Sequence, residues 1–147
     1  MGFIARNFLD KKGVKKKKQA PVSPWDWQVE LRSPNQKHLA KIAQGCEIAM
    51  GAPSMGVLHL NGKPIEPYAN ASIVWSDDST LLAVPVWTNG WKQVVKVFTI
   101  DGQCIFQSKQ RYRVLELHDF ENGIIKGIDS PIYQPKKMEL FVATERL

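Results

Sequence analysis

Apolar Trp27, Val29 and Leu31 alternate with polar Gln28, Glu30 and Arg32, the two-residue period of a half-buried β-strand. Pro34 and Asn35 end that run, and residues 39–50 then admit two readings. Leu39, Ile42, Ala43 and Cys46 would share one face of a helix, whereas analogy with residues 73–86 favours a strand. The clearest pattern is IVWSDDSTLLA at residues 73–83. Val74 and Trp75 suit a pleated surface, Ser76, Asp77, Asp78 and Ser79 can bond their own backbone in a tight turn, and Leu81, Leu82, Ala83 and Val84 restart the apolar run. Asn89-Gly90, Asp101-Gly102 and Asn122-Gly123 each lie between runs rich in Val, Ile or Phe, so each predicts a β-hairpin. The expected fold is mainly β and antiparallel.

The hairpin at Asn89-Gly90 leads to a surface. A two-residue turn would pair Thr88 with Trp91 and Trp87 with Lys92, placing the two tryptophans on opposite faces. Val84, Val86, Trp91, Val95 and Val97 would then form a core side. Ala83, Pro85, Trp87, Lys92, Val94 and Lys96 would form the other, where Trp87 between Lys92 and Lys96 suits a half-exposed partner-binding patch. The plainer reading of the same pattern is a tryptophan lying under lysine stems with no partner.

Internal spacing adds a further expectation. Leu31-Arg32-Ser33, Val74-Trp75-Ser76 and Leu117-His118-Asp119 follow one another at an interval of 43 residues, and Leu60-Asn61-Gly62 precedes Ile100-Asp101-Gly102 by 40. With Trp75, Ser76, Asp77, Asp78, Leu82, Ala83, Asp101 and Gly102 in order, residues 73–102 resemble a β-propeller blade of the TolB-like or tryptophan-aspartate repeat kind. The resemblance implies about three antiparallel, blade-like meanders with Leu31, Val74 and Leu117 at equivalent core positions. It also implies a scaffold role, since a blade carries no reaction of its own. Three units are too few for a closed ring, so the expected form is an open, sandwiched or partial-barrel sheet, or a partial ring that another molecule completes.

Charge divides the chain in two. Of the net charge of +6, all belongs to residues 1–20, which hold seven basic side chains and one acidic, while the remainder carries thirteen of each. The expected organisation is a basic N-terminal tail over residues 1–24 and one β-rich domain over residues 25–147, with Pro21, Ser23 and Pro24 at the boundary. Lys11, Lys12, Lys15, Lys16, Lys17 and Lys18 could sit near the phosphates of nucleic acid or of an anionic membrane. The bland alternative is a solvated leader. The lysines follow the apolar Phe3, Ile4, Phe8 and Leu9 instead of preceding them, so an export signal is not expected, and no apolar run is long enough to span a bilayer.

Candidate chemistry is sparse. His38, His59 and His118 have no metal-ligand spacing, and GAPSMG at residues 51–56 lacks the Lys-Ser pair of a phosphate loop and departs from a nucleophile elbow around Ser54. Cys46 and Cys104, in a chain without an export signal, read as free buried thiols. No catalytic residue, cofactor or metal is expected. The sequence therefore points to a non-enzymatic, cytoplasmic, protein-binding module whose partner it does not name, an immunity or inhibitor protein being one form such a module takes. The competing class is a phosphate-surface binder acting through the lysine tail.

Overall fold

The computed structural model describes residues 19–47 and 50–142. Among them there is no helix, and eleven strands form two antiparallel sheets, neither closed into a barrel. The first four strands make one meander: β1 (Val29–Arg32), β2 (Leu39–Glu47), β3 (Ser54–Leu60) and β4 (Lys63–Ala69). The next four make a second: β5 (Val74–Trp75), β6 (Leu81–Thr88), β7 (Lys92–Thr99) and β8 (Cys104–Gln107). A single pairing, Ala69 with Val86, joins them into one eight-stranded sheet. β9 (Leu115–Glu121), β10 (Ile124–Asp129) and β11 (Lys136–Phe141) form a separate three-stranded sheet. Residues 39–47 are thus strand: Ala40 and Ile42 are buried while Lys41 between them is exposed, the period of a pleat and not of a helix.

Two hydrophobic cores stack these units as three layers. Ala40, Ile42, Leu58 and Leu60 of the first meander meet Trp75, Leu82, Val84 and Phe98 of the second. On the other side of the second meander, Val74, Ala83, Val95 and Val97 meet Leu115, Leu117, Phe120 and Ile125 of the small sheet. The middle layer is therefore buried on both faces, which explains why β6 is apolar at every position from Leu81 to Trp87. Pro85 is tolerated in that central strand because Val95 opposite it spends its own N–H and C=O on Ser108. The Pro85 nitrogen accordingly points to the side where the neighbour of β6 changes from β5 to β4, and no donor is needed there.

The Ser33 and Ser76 turns carry the same hydrogen bonds. Ser33 Oγ donates to Asn35 Oδ1 and accepts from the His38 N–H, and Ser76 Oγ donates to Asp78 Oδ1 and accepts from the Leu81 N–H. Gln36 and Ser79 both take φ of 67°, and each donates its N–H to the serine carbonyl three residues before. Leu31 pairs with Ala40 as Val74 pairs with Ala83. Leu31 is half-buried against the first core, while Val74 and Leu117 are buried in the second. The small sheet turns differently, on Asn122 and Gly123 with φ of 55° and 75°, and a bulge shifts the partner of Leu117 to Gly127.

Residues 19–24, assigned to the tail by composition, are attached to the body. Gln19 accepts from the Trp75 N–H and donates to the Trp75 carbonyl, occupying the open edge of β5 as a strand would, and Val22 packs on the first core. Lys11, Lys12 and Lys15–Lys18 lie outside the described residues.

Candidate functional site

Because the strands alternate in direction, every second connection emerges at the same end of the layers. Residues 24–28 before β1, 50–53 before β3, 89–91 between β6 and β7, 108–114 between β8 and β9, and 130–135 between β10 and β11 all meet there. Hydrogen bonds tie this end together. Ser54 is its hub: its N–H donates to the Pro24 carbonyl, its hydroxyl to the Asp26 carbonyl at 2.5 Å, and its carbonyl accepts from Asn70 Nδ2 at 2.9 Å and from Trp87 Nε1 at 3.0 Å. Asn70 is wholly buried and satisfied on both ends of its amide, donating also to the Pro24 carbonyl and accepting from the Ser72 N–H. Ser54 is therefore a structural pin, its hydroxyl proton engaged by a backbone carbonyl.

On this scaffold sits an apolar surface. Nine large apolar side chains are exposed among the described residues, and six of them, Trp27, Met50, Tyr68, Trp91, Ile132 and Tyr133, belong to this end. Each is more than half exposed, with Met50 at 98% and Ile132 at 77%. Arg111 donates to the Asn89 carbonyl and to Thr88 Oγ1, and the Arg113 guanidinium lies over the Tyr133 ring, 5.9 Å from its centroid. Asp129 spends its carboxylate on the N–H groups of Arg113 and Val114, both at 3.1 Å, which fixes the loop bearing the arginines. Burial, with the Asp129 carboxylate as a second cause, holds the Tyr112 hydroxyl above the usual phenol range, so this tyrosine stays neutral.

The hairpin register corrects the sequence expectation. Thr88 pairs with Lys92, Trp87 with Gln93 and Val86 with Val94, so the turn has three residues and Trp91 lies within it at φ of 55°. One residue more in the turn moves every side chain of β7 to the other face relative to β6. Trp87 is buried, at 6% exposure, and shares its side with Gln93 and Val95, whereas Trp91 is 62% exposed and makes a T-shaped contact with Trp87, the ring centroids 6.2 Å apart. Lys96 faces the first core and bonds Glu66 at 3.0 Å, a carboxylate only 5% exposed. Lys92 alone of the predicted patch is an exposed residue at this end. The proposed combination of Trp87, Lys92 and Lys96 on one open face does not exist.

Compared with family models, with curated proteins and with solved structures, the chain matches none of them.

The remaining candidates are dispersed. Among the described residues, no three His, Cys, Asp or Glu side chains are placed to hold a metal ion. His118 bonds Glu116 at 2.8 Å, and His38 contacts Asn61 and the Trp75 ring. Cys46 and Cys104 are free, as expected, but exposed and not buried. Asp78 serves its turn, accepting from Ser76 Oγ, Thr80 N and Thr80 Oγ1; partial burial works to raise its pKa, but the Thr80 and Ser76 hydrogen bonds outweigh this and lower it. An open groove of about 740 Å³ crosses the outer face of the first meander, lined by Leu39, Ala43, Cys46, Met55, Val57 and Pro67 with the cross-strand partners Lys41 and His59. Sequence reasoning passed over Tyr68, Arg111 and Tyr133, which follow no local motif. The signal available was strand direction, which brings alternate turns to one end.

Proposed function

We propose that the protein is a non-enzymatic protein-binding module whose contact surface is the aromatic loop end. The observation that carries this reading is the gathering, on one hydrogen-bonded end, of six of the nine large apolar side chains exposed among the described residues, with arginines held among them. Tryptophan, tyrosine and arginine are the side chains that most often dominate contact energies, and a platform fixed beforehand by Ser54, Asn70 and Asp129 lowers the ordering cost of association. The identical Ser33 and Ser76 turns support a blade-like reading of the first two meanders, in which strands supply a rigid frame and loops the contacts. The exposed, free Cys46 and Cys104 suit a reducing compartment such as the cytoplasm. No helix of the described residues is long and apolar enough to cross a membrane.

Immobilised full-length chain and its Trp91→Ser/Tyr68→Ser variant, each shown to fold by circular dichroism, test this against lysate of the native cell. A protein captured by the first and lost with the second is expected. Equal capture by both overturns the assignment of the surface, and capture that requires only residues 1–20 transfers function to the lysine tail.

A further inference from the structure

The chemistry of this end also specifies what it would bind. The chain outside residues 1–20 carries equal numbers of basic and acidic side chains, yet their distribution is polar. Lys92, Lys109, Arg111 and Arg113 are all exposed at the loop end, within or beside the turns that carry Trp91 and Tyr133. The acids there are fewer: Asp26 is exposed, Glu47 ends β2 opposite Ser54, and the Asp129 carboxylate accepts from two backbone N–H groups. At the opposite end the signs are mixed, Asp77, Asp78, Asp101 and Glu121 lying in or beside the turns with Arg32, Lys37 and Lys63. Basic side chains thus outnumber acidic ones around the apolar patch, and a net positive rim attracts an acidic partner and repels a basic one.

Aromatic rings among cations also suit single-stranded nucleic acid, whose bases stack on such rings. Two features favour protein. Met50 and Ile132, the most exposed apolar side chains of the patch, are aliphatic and add no ring for bases to stack on, whereas they fit aliphatic and aromatic side chains. The Arg113 guanidinium stands over one face of the Tyr133 ring, and the Trp91 and Trp87 rings meet at 79°, so these tryptophans do not form a row of parallel faces. We propose that the loop end binds a segment of a partner protein in which Asp or Glu residues flank an apolar anchor, the anchor contacting Trp91, Met50 and Ile132 and the carboxylates reaching Lys92, Lys109, Arg111 and Arg113. This rests on the loop end being the contact surface, and it adds the partner's chemistry.

Selection of a random twelve-residue displayed peptide library on the full-length chain tests it, with counter-selection on the Trp91→Ser variant. Expected are sequences enriched in Asp and Glu beside Leu, Ile or Phe. A synthetic peptide of that consensus should bind at least 10-fold more weakly to a Lys92→Gln/Lys109→Gln variant, which leaves the Arg111 bond to Asn89 in place, and at least 10-fold more weakly in 500 mM than in 50 mM NaCl. Selected peptides that depend on Trp91 but are neutral or basic would overturn the acidic partner while leaving the surface standing. Selection that yields nothing dependent on Trp91 would overturn both. Tighter binding of a twelve-nucleotide oligo-dT than of the consensus peptide, lost in the lysine variant, would overturn the proposal in favour of nucleic acid.

Discussion

Replacing Trp87 and Trp91 separately by alanine discriminates between the two hairpin registers. Trp87 is almost fully buried and donates to the Ser54 carbonyl, so its truncation removes a large apolar side chain from between strands that are themselves enclosed. Such losses cost about 3–5 kcal/mol. The Ser54 carbonyl keeps its second donor, Asn70 Nδ2, so no orphaned acceptor adds to the cavity and the lower half of that range is expected. Trp91 is mostly exposed, and its loss forfeits an edge-to-face contact worth about 0.5–1.5 kcal/mol. Its backbone sits in the left-handed region, so Trp91→Gly should recover about 1 kcal/mol of strain relative to Trp91→Ala. Urea denaturation followed by far-ultraviolet circular dichroism, a signal independent of which tryptophan is removed, measures all three variants. The order expected is Trp87→Ala well below Trp91→Ala, with Trp91→Gly at or above the latter. If Trp91→Ala proved the more damaging, the turn would have two residues, β7 would be reversed face for face, and the aromatic end would lose its central side chain.

Gly127→Ala should destabilise by about 1–3 kcal/mol in the same assay, because a Cβ there would lie 2.4 Å from the Glu116 carbonyl oxygen across the bulge and the backbone must shift; unchanged stability would place the bulge elsewhere. Lys96→Met should cost about 1–3 kcal/mol, less than a fully enclosed pair because Lys96 is partly exposed, and adding Glu66→Gln should restore part of it; additive losses would show that the pair does not interact. Asp78→Ala should cost about 1 kcal/mol near neutral pH. The folded-state pKa of Asp78 is lowered, so its contribution is fully present above the unfolded value and is lost as pH falls through the folded one; the variant and the parent should therefore converge in acid, and a constant difference down to pH 2 would contradict this.

Much of the architecture was legible in the chain because it rests on local chemistry. The period-two run at Trp27–Leu31, the Asn122-Gly123 turn and the serine-led turns at Ser33 and Ser76 each specify their own backbone, the last two through hydrogen bonds made within six residues. The β6–β7 register was not legible, and the reason is physical. Alternation can assign a strand's faces only when one face is wet, and Val94, Val95, Val97 and Phe98 are buried on both sides of the middle layer. Either register buries apolar side chains, so the pattern does not choose between them. The choice goes with contacts distant in sequence: Gln93 with Tyr112 and Leu115, Arg111 with Asn89, and Trp87 with Ser54. The same holds for the functional surface. By itself the sequence determined the antiparallel β class, the positions of most turns and the neutrality of the body; only the stacking of three layers decided that residues 39–47 are strand, that Trp87 is enclosed, that Lys96 is spent on Glu66, and that side chains from five separate segments share one exposed end.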